Sequence, residues 1–150
     1  RKRTRPVAAG RVSPTAAVAF GLACAASGLG LAFALNGASG IVVTVYLAIQ
    51  AAYNAGLKRV PVTDVFTVAA GFVLRAVLSA TAIDARVSVW LLLCTGGLAL
   101  MLGFAKRRNE FVVSGPETRE ALAGYTLRSL DGLVLLFSGV AATSYLLYAI

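Results

Sequence analysis

Leu57-Lys58-Arg59-Val60-Pro61-Val62-Thr63-Asp64-Val65-Phe66-Thr67-Val68-Ala69-Ala70-Gly71-Phe72-Val73-Leu74-Arg75-Ala76-Val77-Leu78-Ser79-Ala80-Thr81-Ala82-Ile83 decides how the rest of the chain is read. Two cations precede Val62–Ile83, an apolar run long enough to cross a hydrocarbon core about 30 Å thick. Pro61 suits a helix start, where its missing N–H costs nothing. Asp64, Gly71 and Arg75 follow one another at spacings that place them within about 40° on a helix. Arg75 then lies about 16 Å deeper than Asp64. A charge at that depth costs about 2.5–3.5 kcal/mol on insertion scales. It should therefore face the bundle interior or a water-filled cavity, or else make an interhelical ion pair or a carbonyl contact.

Working outward, four further runs behave in the same way: Pro14–Leu35, Gly40–Ala55 (extending to Leu57 if Lys58 reaches up to the interface), Val87–Ala105 and Gly132–Ile150. Hydrophobic residues make up 59% of the 150, against about 45–50% in soluble domains. The mean hydropathy is +0.83. The expected fold is an all-α transmembrane helix bundle of five spans, one domain over residues 1–150. Gly21, Ala25, Gly28 and Ala32 line the first span at intervals of three and four, a stripe that suits close helix packing in lipid. Cys24 and Cys94 fall inside spans and read as small packing residues, not as a disulfide framework or a metal site. No internal repeat is evident. No Met opens the chain and Ile150 closes it within an apolar run, so both ends are expected to lie inside a longer protein.

The charges are one-sided. Twelve of the fourteen Lys and Arg residues fall in Arg1–Arg11, Lys58–Arg59 and Lys106–Arg128. With alternating spans these three segments share one side, which the positive-inside rule makes cytoplasmic. The turns at Asn36–Ser39 and Asp84–Arg86 then lie outside with one cation, Arg86. Asn36-Gly37 is a turn signal. Ser114-Gly115-Pro116 breaks the last basic segment, and Glu117–Ser129 is expected to form a short surface helix with acids in its first turn and Arg128 near its end. A plasma-membrane protein in contact with the lipid bilayer follows. Nucleic acid is excluded as a partner, because the high isoelectric point comes from membrane-side charge and not from a soluble basic face.

Two clusters can carry chemistry. Tyr53 through Asp64 offers the cations Lys58 and Arg59, a hydroxyl and a carboxylate in one loop. Lysine is a compact point charge suited to phosphate, and Asp64 can hold Mg²⁺ or orient a sugar hydroxyl. Lys106-Arg107-Arg108-Asn109-Glu110 continues a helix, with Lys106 and Glu110 one turn apart. Membrane anchoring on anionic lipid heads explains those cations as well as ligand binding does. The chain has no His, and neither a Ser-His-Asp arrangement nor a phosphate-cradling glycine loop of the P-loop type occurs.

Arg5-Pro6-Val7-Ala8-Ala9-Gly10-Arg11-Val12-Ser13 and the Tyr53–Asp64 loop, in this order, resemble the UbiA superfamily of intramembrane prenyltransferases. That resemblance implies nine helices around a cavity open to the cytoplasm, of which this chain would hold the third to seventh. It places an Asn-Asp-x-x-Asp motif just before Arg1. Ordinary members carry a second Asp-rich motif where this chain has Lys106–Glu110. That difference, with Leu57–Phe66, Gly71–Arg75 and Tyr125-Thr126-Leu127…Leu130-Asp131, is similar to the decaprenyl-phosphate phosphoribosyltransferase branch.

The resemblance implies a transferase that moves 5-phosphoribose from phosphoribosyl pyrophosphate to a polyprenyl phosphate with Mg²⁺, for cell-wall arabinan. Under it, Lys58 and Arg59 contact phosphate, and Asp64 serves metal or ribose. Arg75 takes an inner phosphate or the cavity wall, and Lys106, Arg107 and Arg108 grip the second anion. Tyr53 and Glu110 assist. A fragment lacking the other helices is expected to be inactive. An aromatic prenyltransferase of quinone synthesis is the alternative, against which the basic Lys106 cluster counts. A non-enzymatic membrane protein or transporter is a further one, which would leave Asp64 and Arg75 no task beyond ion pairing.

Overall fold

The computed structural model describes residues 7, 9–115, 122 and 124–150. Among them there are five long helices and no strand: α1 Pro14–Leu35, α2 Gly37–Ala55, α3 Thr63–Ala82, α4 Val89–Ser114 and α5 Leu127–Ala149, with a 3-10 turn at Leu57–Arg59 between α2 and α3. All five are long and apolar enough to cross a membrane. Consecutive helices pack side by side and antiparallel. Ser39 meets Thr81 and Tyr46 meets Arg75 across α2 and α3. Gly103 faces Val65 and Gly96 faces Val73 across α3 and α4, and Gly97 faces Ala141 across α4 and α5.

The turns are built by local chemistry. Ser13 caps α1 by accepting from Ala16 N–H, with Pro14 in the first turn. Asn36 alone separates α1 from α2. Its side chain accepts from Ser39 N–H at 2.7 Å and donates to the Thr81 carbonyl at 2.9 Å, so one residue caps a helix and ties it to α3. Capping of this kind is worth about 1 kcal/mol. Thr126 and Ser129 form a reciprocal capping box at the start of α5.

Several boundaries differ from the sequence reading. α2 begins three residues before Gly40 and ends at Ala55. α4 carries Lys106–Glu110 beyond the apolar span, as expected, because Lys, Arg and Glu are good helix formers, but it goes four residues further and stops at Gly115, whose φ of 78° is left-handed. α5 begins at Leu127, so Leu127–Ser129 of the expected surface helix belong to it, while residues 116–121 and 123 lie outside the described residues. Pro61 is not in the first turn of α3, which starts at Thr63.

The stripe on α1 also departs from expectation. Of its four residues only Ala32 is buried. A Cβ on Gly21 or Gly28 would meet nothing within 4 Å. Close approach occurs elsewhere: a Cβ on Gly97 would stand 3.1 Å from the Ala141 backbone, and one on Gly103 would collide with Val65. Both cysteines are free, and Cys24 is exposed.

The buried core sits at the basic end of α3, α4 and α5, made of Val65, Phe104, Leu122, Tyr125 and Leu130 with Phe111 and Phe137 against it. Phe104 stacks on Phe137 at 5.6 Å and meets the Tyr125 ring edge-on at 6.2 Å. Large apolar side chains such as Phe20, Leu22, Ile41 and Leu135 point outward, as lipid-facing residues do.

Candidate functional site

The basic end is organised around Asp64. Its side chain is fully enclosed at the first turn of α3, and Arg107 of α4 is nearly so. Arg107 Nε lies 2.9 Å from Asp64 Oδ2. The pair is close but poorly aligned: neither Asp64 oxygen nor Arg107 Nε has a hydrogen-bond partner. Arg107 also pairs with Glu110 one turn on. Arg108 pairs with Asp131 of α5 at the surface. α3, α4 and α5 are thus bound together at one end by charge above the Phe104 core.

The loop before α3 is held under strain. Val62 has φ 68° and ψ −52°, a conformation that β-branched residues rarely adopt. Thr63 N–H donates to the Pro61 carbonyl at 2.7 Å, closing the rare γ-turn. Such a backbone costs on the order of 1–3 kcal/mol and persists only when its surroundings dictate it. Here Val62 N–H donates to the Tyr125 hydroxyl at 2.6 Å. Pro61 packs on Gly124 so closely that a Cβ there would stand 2.8 Å from the ring. Burial pushes the Tyr125 phenol above its ordinary value of 10.0, with the Val62 N–H pulling the other way, so the hydroxyl stays protonated. The segment carrying Lys58 and Arg59 is therefore docked on the residues that precede α5.

The sequence-predicted residues separate into groups. Lys58 is half-buried and Arg59 exposed on the 3-10 turn, and Tyr53 is half-buried on the last turn of α2. Of the three cations expected to grip an anion together, Arg107 is buried on Asp64 and Glu110, and Arg108 is held by Asp131. Lys106 is exposed and, among the described residues, makes no ion pair. Successive residues on a helix point 100° apart, so one cluster in sequence becomes three environments.

Arg75 stands apart from this end. It donates to the Tyr46 hydroxyl at 3.0 Å, and that hydroxyl also accepts from Gln50 at 2.9 Å. Its guanidinium lies 5.6 Å from the Tyr46 ring centre and 5.3 Å from that of Phe72. It lines a groove of about 330 Å³ with Cys24, Gly28, Val43 and Leu78. Arg75 is exposed and borders this open groove, held among the described residues by two aromatic rings and a hydroxyl and not by an acid or a carbonyl.

No three Asp, Glu, His or Cys residues come together among the described residues. One enclosed carboxylate already facing an arginine does not make a site for Mg²⁺, which wants octahedral oxygen ligands.

Residues 1–109 match the family model described as the UbiA prenyltransferase family. The chain belongs to that family. The UbiA chain is 34% identical over 152 residues to the decaprenyl-phosphate phosphoribosyltransferase of Corynebacterium glutamicum, covering 98% of this chain and 46% of that protein. It is 33% identical over 151 residues to the enzyme of the same name from Mycolicibacterium smegmatis, covering 99% and 48%. The Mycobacterium tuberculosis enzyme of that name is 30% identical over 151 residues, covering 99% and 50%. The chain spans about half the length of these curated relatives. Five spans and membership of UbiA make it a multi-pass membrane protein.

Sequence reading did not single out Tyr125, Val62, Asp131 or Tyr46 as parts of this arrangement. Asp131 lies past the first turn of α5 and had no local signal beyond the family pattern. Tyr125 had none beyond the family pattern, because its partner is the backbone of a residue sixty-three positions away.

Proposed function

We propose that this chain is the central part of a membrane transferase that moves 5-phosphoribose from phosphoribosyl pyrophosphate to a polyprenyl phosphate, supplying a precursor of cell-wall arabinan. One observation carries the reading. At the end of α4, where a metal clamp on a diphosphate would need acids, this chain presents the exposed cation Lys106 beside Arg107 and Arg108, which pair with Asp64 and Asp131. The names of its relatives point the same way. The basic end is taken as cytoplasmic by the positive-inside rule.

Both substrates carry phosphate, so cations at one end suit both. Lys58 and Arg59, on a turn docked through Val62 and Pro61, are proposed to contact the pyrophosphate. As the bond between the anomeric carbon and the pyrophosphate oxygen breaks, its electron pair stays on that oxygen, and fixed cations stabilise the charge. An oxygen of the acceptor phosphate forms the new bond to the anomeric carbon. That oxygen is already anionic, so no general base is required. The described residues do not form a Mg²⁺ site, and these roles draw on none.

The test uses the full-length protein, labelled phosphoribosyl pyrophosphate, Mg²⁺ and polyprenyl phosphate, with label counted in the lipid fraction. Transfer that falls tenfold or more in Lys58→Ala is expected. No label in lipid, with prenylation of 4-hydroxybenzoate from a polyprenyl diphosphate instead, overturns the reading in favour of aromatic prenyl transfer.

A further inference from the structure

α3 and α4 touch closely where Gly103 meets Val65 and where Gly96 meets Val73. Beside that seam, Val68 and Phe72 of α3 and Thr95, Leu98, Leu102 and Lys106 of α4 line a groove of about 520 Å³. Its walls are apolar except at two points, Thr95 and Lys106. These lie at opposite ends along α4, about 16 Å apart by helical rise. The groove is thus an apolar slot within the spans with a cation at its basic end.

Lys106 differs from its neighbours in being uncommitted. Arg107 is enclosed with Asp64 and Glu110, and Arg108 holds Asp131. Lys106 is exposed and, among the described residues, has no acidic partner. α4 continues unbroken to Ser114, so the lysine projects from a rigid helix and not from a loop. A lysine in this place lays its methylenes along apolar wall and carries its ammonium to the membrane surface. A compact ammonium at the end of an apolar slot suits a ligand with one phosphate on one long hydrocarbon chain. Phosphoribosyl pyrophosphate, polar throughout, gains nothing from such walls.

We propose that this groove holds the first isoprene units of the polyprenyl phosphate acceptor, with the Lys106 ammonium on its phosphate. The assignment rests on the acceptor named in the proposed function. It gives the two phosphorylated substrates separate cations: Lys58 and Arg59 for the pyrophosphate, Lys106 for the lipid. Arg107 and Arg108 serve the scaffold.

The experiment uses the full-length protein in phosphatidylcholine nanodiscs and a polyprenyl phosphate bearing a diazirine on its second isoprene unit. Irradiation followed by peptide mass spectrometry should place the adduct on residues 68–72 or 95–102. Lys106→Gln should weaken labelling about tenfold or more, the loss expected for one charge-assisted contact, and Lys106→Arg should retain most of it. Ala99 also lines the groove, so Ala99→Trp, which fills the slot, should abolish labelling; Lys106→Gln is a surface change that keeps the test valid if the tryptophan variant does not fold. A tenfold excess of phosphatidylglycerol should not displace the probe. Adducts elsewhere, equal displacement by phosphatidylglycerol or indifference to Lys106→Gln would overturn the assignment. Labelling needs no turnover. Groove labelling without phosphoribosyl transfer sinks the reaction and keeps the lipid site, whereas transfer with labelling elsewhere sinks the site alone.

Discussion

Removing Asp64 should damage the protein through Arg107, and removing both should repair most of the damage. The Asp64 side chain is 0% exposed and that of Arg107 7%. Asp64→Leu leaves a guanidinium buried with Glu110 alone, and Glu110 is 31% exposed and correspondingly screened. Breaking a buried pair from one side costs about 3–5 kcal/mol, since the remaining charge cannot regain its water. That is roughly a 10²–10⁴-fold shift in the folding equilibrium. Arg107→Met should cost a similar amount by stranding Asp64. The double variant replaces the pair with apolar volume beside Phe104 and Val65. It should lie within about 1 kcal/mol of the parent, because such exchanges are often neutral. Coupling between the two sites should therefore reach several kcal/mol. The assay is reversible unfolding of the full-length protein in mixed micelles, followed by Trp90 fluorescence, for the parent, both single variants and the double. Single effects that simply add, with coupling under about 0.5 kcal/mol, would refute the buried-pair account and return Asp64 to the role of a metal or ribose ligand.

Tyr125→Phe keeps the ring on Phe104 and removes the acceptor for Val62 N–H. It should raise the KM for phosphoribosyl pyrophosphate several-fold, with protection of the Val62 amide from hydrogen exchange lost. The raised Tyr125 pKa also fixes the sign of an alkaline effect. The unfolded phenol loses its proton near pH 10.0 while the folded one keeps it. The stability Tyr125 contributes is therefore fully present below pH 10.0 and is lost as pH climbs through the folded value. Unfolding curves from pH 9 to 11 should show a steeper decline for the parent than for Tyr125→Phe. Gly97→Val should cost about 1–3 kcal/mol by forcing α4 from the Ala141 backbone, whereas Gly21→Ala and Gly28→Ala should be neutral or stabilise by up to about 1 kcal/mol, both read from thermal midpoints. Arg108→Met removes a pair whose side chains are 47% and 52% exposed, so its cost should stay within about 1 kcal/mol in the same measurement.

The spans were legible because burial in lipid imposes a coarse requirement, a length of apolar chain, that needs no knowledge of neighbours. Pro14–Leu35 coincides with α1 end to end. The edges were less legible for physical reasons specific to each. Lys106–Glu110 is polar yet continues the helix as its propensity predicts, with an ion pair within one turn, but the helix runs four residues beyond it before the stop at Gly115. Val62 reads as a helical residue, yet the γ-turn there depends on Tyr125 and Gly124 far along the chain. The α1 stripe shows the converse limit. Small residues permit close approach but do not supply a partner: Gly21 and Gly28 have open space around them, whereas α1 comes close to α2 at Gly40, where a Cβ would collide with Phe33.

Charge patterning was legible as a sum and not as an arrangement. The positive-inside rule counts cations and is indifferent to which way each points. Once α4 is a continuous helix, the same three residues divide by angle. Arg107 turns inward and must find Asp64, because a guanidinium cannot shed its proton to escape burial. Arg108 turns toward α5 and finds Asp131, and Lys106 turns toward the groove beside α3. Exchanging Lys106 and Arg107 would preserve the count and the orientation signal. It would also place a lysine able to deprotonate against Asp64, and a fork-shaped cation where a compact one now ends the apolar slot. Topology alone would tolerate that exchange. A chain that must fold on Asp64 and also take a phosphate at the groove would not.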